Sequence, residues 1–369
     1  MASTRMSRWG ADLYTGHTSY ALVAHRRRWY TISAVVLAIS IALLGARGLN
    51  PSIDFKGGSE FTVAEASSLG QQPAIDAVTS VKSDEVPRVS TVGESSVRVQ
   101  TSELSETQTV QVAEALAAGY DVPLTNISKT FIGPNWGADV SSKALRALVV
   151  FLVLVTLVMT IYFRAWRMAV AALVALLHDL VITVGLYAGI GWEVSPATVI
   201  GFLTILGYSI YDTVVVFDKV RENTEKVTEQ RRFTYGELAN LAVNQTLVRS
   251  INTSVVALLP VSGILFIGAF LLGAGTLRDI ALALFIGIIV GTFSSIFIAT
   301  PFEVSLRERE PAIKAHTAKV MAARAAAVAD GTAGEAETVR VGAAVPGRRL
   351  GNQAQPRRRK ATRPNGTSS

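Results

Sequence analysis

The chain has 369 residues, half of them apolar, with 35 Lys and Arg against 28 Asp and Glu, a formal charge of +7, no cysteine and four histidines. Disulfides, thiolate catalysis and cysteine metal sites are excluded, and His17, His25, His178 and His316 lack the HxxxH or HxH grouping of a metal site. Mean hydropathy is positive and the apolar residues gather in blocks of about twenty, the length of a helix crossing a hydrocarbon core roughly 30 Å thick, so the chain reads as a polytopic helical membrane protein.

Residues 1–28 carry Arg5, Arg8 and the Arg26 to Arg28 run ahead of a first span, 29–46. That run is long for a signal-peptide core and Gly45-Ala46-Arg47 makes a poor cleavage site, which favours an uncleaved anchor. A segment over 47–143 follows, large enough for a small domain. Strand-like runs at Glu60 to Ala64, Arg88 to Val92, Ser96 to Gln100 and Ile127 to Ile132 alternate with helix-like runs at Gln72 to Lys82 and Glu103 to Ala118. The order βαββαβ predicts a ferredoxin-like domain with two helices on one face of an antiparallel sheet. It contains no nucleophile with a base and no phosphate loop, so binding or mechanical work suits it better than chemistry.

Five more spans are predicted at 145–163, 168–190, 194–217, 251–272 and 280–302, with a loop over 218–250 and a tail over 303–369. Arg164 and Arg167, Lys219 to Arg232, and Arg307 and Arg309 fall on the same side as the N-terminal arginines, which places both termini in the cytoplasm and the domain outside. The tail, with Arg340, Arg348, Arg349 and the Arg357 to Lys360 cluster among Ala, Gly, Pro and Ser, is expected to be disordered. A solvated positive-inside tail explains its charge; attraction to anionic lipid or ribosomal RNA is the alternative.

Just past the first span, Asp54-Phe55-Lys56-Gly57-Gly58 breaks the apolar pattern. It suits either a tight connection into the domain or a hinge on which the domain swings. Inside the spans, His178 and Asp179 lie near the middle of the third, with Thr183 beyond; Tyr208, Asp212 and Thr213 lie in the fourth; Arg249, Asn252, Thr253 and Ser254 open the fifth. A carboxylate in a bilayer costs about 2.5–3.5 kcal/mol on lenient scales, so Asp212 needs a partner or a task. It lies about 7–8 Å below the cytoplasmic end of its span, within reach of an inward-turned Arg249. An Asp212–Arg249 charge pair handling protons competes with a snorkelling arginine and a packing hydrogen bond from a protonated Asp212. His178 and Asp179 divide the same way between proton path and structural polar pair, with Thr213 a further candidate.

These residues together resemble the SecF family, the smaller subunit of the SecDF protein-export motor. The resemblance rests on Asp54 to Gly58, Leu177-His178-Asp179, the run GYSIYDTVVVFDKVREN over Gly207 to Asn223, Asn244 to Ser254, and Leu277-Arg278-Asp279 with Gly291 to Ile296. It covers about Asp54 to Pro301. Tyr211 departs from it, since the family pattern usually has Asn before the aspartate, and this bears on the hydrogen bonding around Asp212. The resemblance implies one six-helix half of an RND-superfamily transporter, with Asp212 as a proton-carrying residue and Arg249 as its partner. It implies a SecD subunit, the SecYEG channel, an unfolded secretory protein as substrate, and indirect links to YajC and the SecA ATPase. It also implies a bacterial cytoplasmic membrane location, energy from the proton motive force, no cofactor and no specific nucleic acid. Two other readings stay open: a scaffold subunit that conducts no ion, and a small-molecule RND-type exporter half. No Walker run, catalytic triad or metal set points to an enzyme.

Overall fold

The computed structural model describes residues 2–16, 18–93, 95–271 and 275–329. The tail cluster from Arg340 to Lys360, the end of the fifth span and the start of the 273–276 turn lie outside the described residues.

An N-terminal helix that the sequence reading did not anticipate, α1 (Ala2–Thr15), buries Leu13 completely. The first span is α2 (Arg26–Arg47). A two-residue strand, β1 (Asn50–Pro51), and one helical turn, α3 (Ile53–Lys56), lead into the domain. The domain runs β2 (Gly58–Val63), α4 (Gln72–Val81), β3 (Arg88–Val92), β4 (Ser96–Thr101), α5 (Glu106–Gly119) and β5 (Ile127–Ile132). Its sheet is antiparallel in the order β3-β4-β2-β5, which is the ferredoxin-like order. The period of two sends Phe61 and Val63 of β2 and Val97 and Val99 of β4 to one face, where Val78 of α4 and Val112 and Leu116 of α5 cover them. Ser105 and Gln108 close a capping box that starts α5.

The remaining spans are α6 (Pro134–Phe163), α7 (Trp166–Ile190), α8 (Pro196–Thr224), α9 (Tyr235–Gly263) and α10 (Gly275–Ser294), with β6 (Glu193–Val194) between α7 and α8. With α2 they make six helices, among the described residues, that are long and apolar enough to cross a membrane. Pro sits at the start of α6 and α8, where the missing N–H is harmless, and Thr234 with Glu237 caps α9. The backbone widens into π turns over Ile264–Leu271, shortly after Pro260 in α9, and over Ser295–Ala299 after α10. The loop expected over 218–250 is much shorter than that, because α8 runs to Thr224 and α9 begins at Tyr235.

The tail expectation is corrected over 303–329. There α11 (Thr300–Arg307) and α12 (Pro311–Ala329) are helical, and Ile313, His316 and Val320 are buried. Bidentate Arg324–Glu237 contacts at 2.8 Å and a His316 Nε2 contact to the Phe233 carbonyl at 3.1 Å tie α12 to the α8–α9 connection. An alanine-rich helix former needs only such docking to be ordered, and composition hid it.

Bundle helices approach closely through small residues. A Cβ at Gly185 of α7 would overlap Ser40 of α2, and one at Gly287 of α10 would overlap Ile205 of α8. At the domain end, β1 pairs in parallel with β6, and Gln100 Nε2 donates to Glu60 at 3.0 Å and to Glu193 at 2.9 Å. The domain is thereby fastened to the α7–α8 connection as well as to its own linkers.

Candidate functional site

The polar residues of four spans meet inside the bundle, with α10 between α7, α8 and α9. Asp179 of α7 is fully buried, and Asp212 of α8 is 5% exposed. Asp179 Oδ2 accepts from Ser209 Oγ of α8 at 2.6 Å and Ser294 Oγ of α10 at 2.8 Å, and its Oδ1 meets His178 Nδ1 at 3.0 Å. Asp212 Oδ1 accepts from Ser250 Oγ of α9 at 2.7 Å, and its Oδ2 accepts from Ser295 Oγ. Consecutive residues of a helix point about 100° apart, so the Ser294-Ser295 pair turns one hydroxyl to each aspartate. The π turn that starts at Ser295 lies at this point. A further hydroxyl pair, Ser254 with Thr292 at 2.5 Å, joins α9 to α10 one turn away. Gly291 keeps the interface tight: a Cβ there would lie 3.1 Å from that of Ser209.

The expected charge pair is not formed. Asp212 takes two hydroxyls, while Arg249 is exposed in a cleft between α8 and α9 and forms no ion pair among the described residues. The reason is the helical period: Ser250, one residue on, faces α8 and occupies the position assigned to the guanidinium. His178 and Asp179 do come together, on α7, and Thr213 is buried beside Asp212. His178 Nε2 has no hydrogen-bond partner among the described residues, and the ring lines an apolar groove between α2 and α7. Tyr211 is 55% exposed, so the departure from the family pattern lies outside the hydrogen bonding of Asp212. Asp54 to Lys56 form the α3 turn against α6, where a Cβ at Gly137 would overlap the Phe55 carbonyl. Gly57 and Gly58 carry φ of +77° and +139°, and a Cβ at Gly58 would overlap the Thr101 carbonyl oxygen.

Sequence reasoning passed over Ser209, Ser250, Ser294 and Ser295 as site residues. The usable signal was a serine doublet in an apolar span, since a hydroxyl there must find a partner. Two more polar layers flank the centre. Toward the domain, Ser195 Oγ donates to Asp279 at 2.8 Å, in a cleft shared with Glu193, Arg98 and Asp54. Toward the basic end, Tyr235 donates to Glu303 at 2.6 Å, and Arg307 and Arg167 hold Glu310 at 2.8 and 2.7 Å.

Comparison with known proteins agrees with this layout. A family described as "Protein export membrane protein SecD/SecF, C-terminal" matches residues 112–309, and the "SecD/SecF GG Motif" matches residues 42–64. Protein translocase subunit SecF of Streptomyces coelicolor is 47% identical over 327 residues, covering 88% of this chain and 87% of its own length. SecF of Mycobacterium tuberculosis H37Rv is 42% identical over 322 residues, covering 85% and 72%. The crystal structure of a Thermus SecDF, described as a translocon-associated membrane protein, superposes with a TM-score of 0.69 at 31% identity, covering 80% of this chain and 39% of that longer one.

Proposed function

The chain belongs to the SecF family of protein translocase subunits, and from that premise we propose that it forms the SecF half of a SecDF export motor driven by the proton motive force. In this reading it works beside SecD and the SecYEG channel, helps draw an unfolded secretory protein outward, and uses no cofactor. YajC and the SecA ATPase are its indirect associates. The termini and the basic loops face the cytoplasm, and the domain faces outward.

The observation that carries the reading is the donor set of Asp212. Both its oxygens meet serine hydroxyls. A hydroxyl is donor and acceptor at once and rotates freely, so Ser250 and Ser295 can satisfy a carboxylate or, turned round, a carboxylic acid. A fixed cation would favour the ionised form alone. Asp212 is therefore built to change protonation state without leaving a buried polar group unpaired. Loss or gain of its charge alters the bonds to α9 and α10 together, and the β1–β6 pairing and the α3 turn connect the bundle to the domain. One proton moving through the full field supplies about 2.3 kcal/mol per 100 mV.

The scaffold reading has its own support, because the same hydrogen bonds join α8, α9 and α10 as a structural bolt would. The two part on one experiment: export of a secreted reporter in vesicles holding SecD, SecYEG and this chain under an imposed proton gradient. Asp212→Asn is expected to abolish the gradient-dependent part with the complex intact. Equal export, or loss only through disassembly, favours the scaffold.

A further inference from the structure

On the basic side, α8 and α9 diverge into a cleft of about 640 Å³, walled on its third side by α1 through Gly10 and Tyr14. Val215, Asp218 and Glu222 line it from α8. These lie three, six and ten residues beyond Asp212, about 60°, 120° and 80° round the helix from it, so they border its face from one side. Asp218 is about 9 Å along the axis from Asp212, and Val215 about 4.5 Å, at 1.5 Å per residue. The facing wall carries Arg249 and Asn252 of α9. Arg249 immediately precedes Ser250, whose hydroxyl holds Asp212. The cleft thus reaches from the surface to within one helical turn of the buried carboxylate.

Its lining mixes apolar surface with charge, and the charges set the cost of filling it with acyl chains. Asp218, Glu222, Lys219 and Arg249 all border it, and each charge left in hydrocarbon costs a few kcal/mol. At about 30 Å³ per molecule the space holds roughly 20 waters, with polar partners on every wall. The α1 wall is held in place by side-chain amides of α9. Gln245 Nε2 donates to the Tyr14 carbonyl at 3.1 Å, and Asn244 exchanges bonds with Tyr20 N and O at 2.7 and 2.9 Å. Asn240 Oδ1 accepts from Val23 N at 3.0 Å. With Asn240 Nδ2 donating to the Tyr20 carbonyl at 3.0 Å, five bonds fix the N-terminal backbone from Tyr14 to Val23 against α9, and the one from Gln245 holds α1 itself beside the cleft.

We propose that this cleft is a water-filled vestibule through which Asp212 exchanges protons with the side of the membrane that bears the termini, with Val215, Asn252 and Thr253 at its deep end and Arg249 on its wall. The proposal rests on the reading of Asp212 as a proton carrier and adds the route. Arg249 acts there as a positioning residue at the boundary between water and the Ser250–Asp212 pair, which accounts for a charged side chain that makes no ion pair.

The absence of cysteine gives the test. Asn252→Cys introduces the only thiol of this chain, on the cleft wall; Val256→Cys, one turn deeper on nearly the same face, 66% exposed and outside the cleft lining, is its control. In sealed vesicles with SecD, a charged, membrane-impermeant thiol reagent applied from the side of the termini is expected to label Cys at 252 and leave Cys at 256 unlabelled. The adduct at 252 is expected to remove most of the gradient-dependent export and spare the ATP-dependent part. Labelling at 252 only by a lipid-soluble maleimide overturns the vestibule, whatever Asp212 does. Full labelling with the gradient-dependent part unchanged overturns the route. Full labelling together with an Asp212→Asn variant that keeps its whole gradient response overturns the proton reading instead.

Discussion

The βαββαβ domain and the helical bundle differ in what they leave outside and in what their centres hold. In the domain, Phe61, Val63, Val97, Val99 and Leu116 form a hydrocarbon interior under a polar surface. In the bundle, Leu145, Val153 and Ile161 of α6 point outward, while Asp179, Asp212 and their serines occupy the middle. The difference follows from the solvent. Water drives apolar surface inward, but a bilayer is as apolar as leucine and gains nothing from hiding it, so close glycine contacts and hydrogen bonds hold the spans together.

The contrast is open to measurement. Phe61→Ala removes a fully buried ring from the domain and is expected to cost about 3–5 kcal/mol, read by urea unfolding followed with domain-specific proteolysis. The bundle should keep its helical circular dichroism. Ser295→Ala removes one donor from Asp212 and is expected to cost about 0.6 kcal/mol, up to about 1.7, in bundle stability. A loss as large as that at Phe61 would break the comparison, because polar bonds would then carry as much as a packed core. The smallest effect is a pH response. Burial, the largest influence on Glu85, pushes its carboxyl up, but hydrogen bonds from the Ser102 side chain and backbone and from Lys82 outweigh it and hold the carboxyl below the ordinary range. A depressed folded value stabilises the domain above the unfolded pKa, and that contribution is lost as pH falls from about 4.3 through the folded value. Ser102→Ala is expected to lower stability at pH 6 and to flatten the fall toward pH 3 in a domain melting series, so that variant and parent converge at the acid end.

Much of the fold was legible because it rests on periodicity. The four strands and two helices of the domain lie within a few residues of the alternating and helical runs, and the strands at Arg88–Val92 and Ile127–Ile132 coincide with them. The candidate site was half legible. Asp179 and Asp212 stand out because charge inside an apolar run is costly, but a hydroxyl costs less, so Ser209 and Ser250 carried no warning and the Ser294-Ser295 doublet only a weak one. The assignment of Arg249 to Asp212 failed for a related reason: charge complementarity within reach does not say which residue of a helix faces its neighbour.

By itself the sequence determined six spans, a βαββαβ domain and two carboxylates inside the spans, all consequences of hydropathy, charge and period that act along a single element. Only the tertiary structure decided who meets whom: the Ser294-Ser295 pair shared between two aspartates, the β1–β6 pairing that fastens the domain, the docking of α12, and Arg249 turned into the cleft beneath α1. Those are relations between elements, set by rotation about each helix axis and by the π turn after α10. A rotation of 100° exchanges neighbouring residues at a contact while leaving every one-dimensional pattern unchanged.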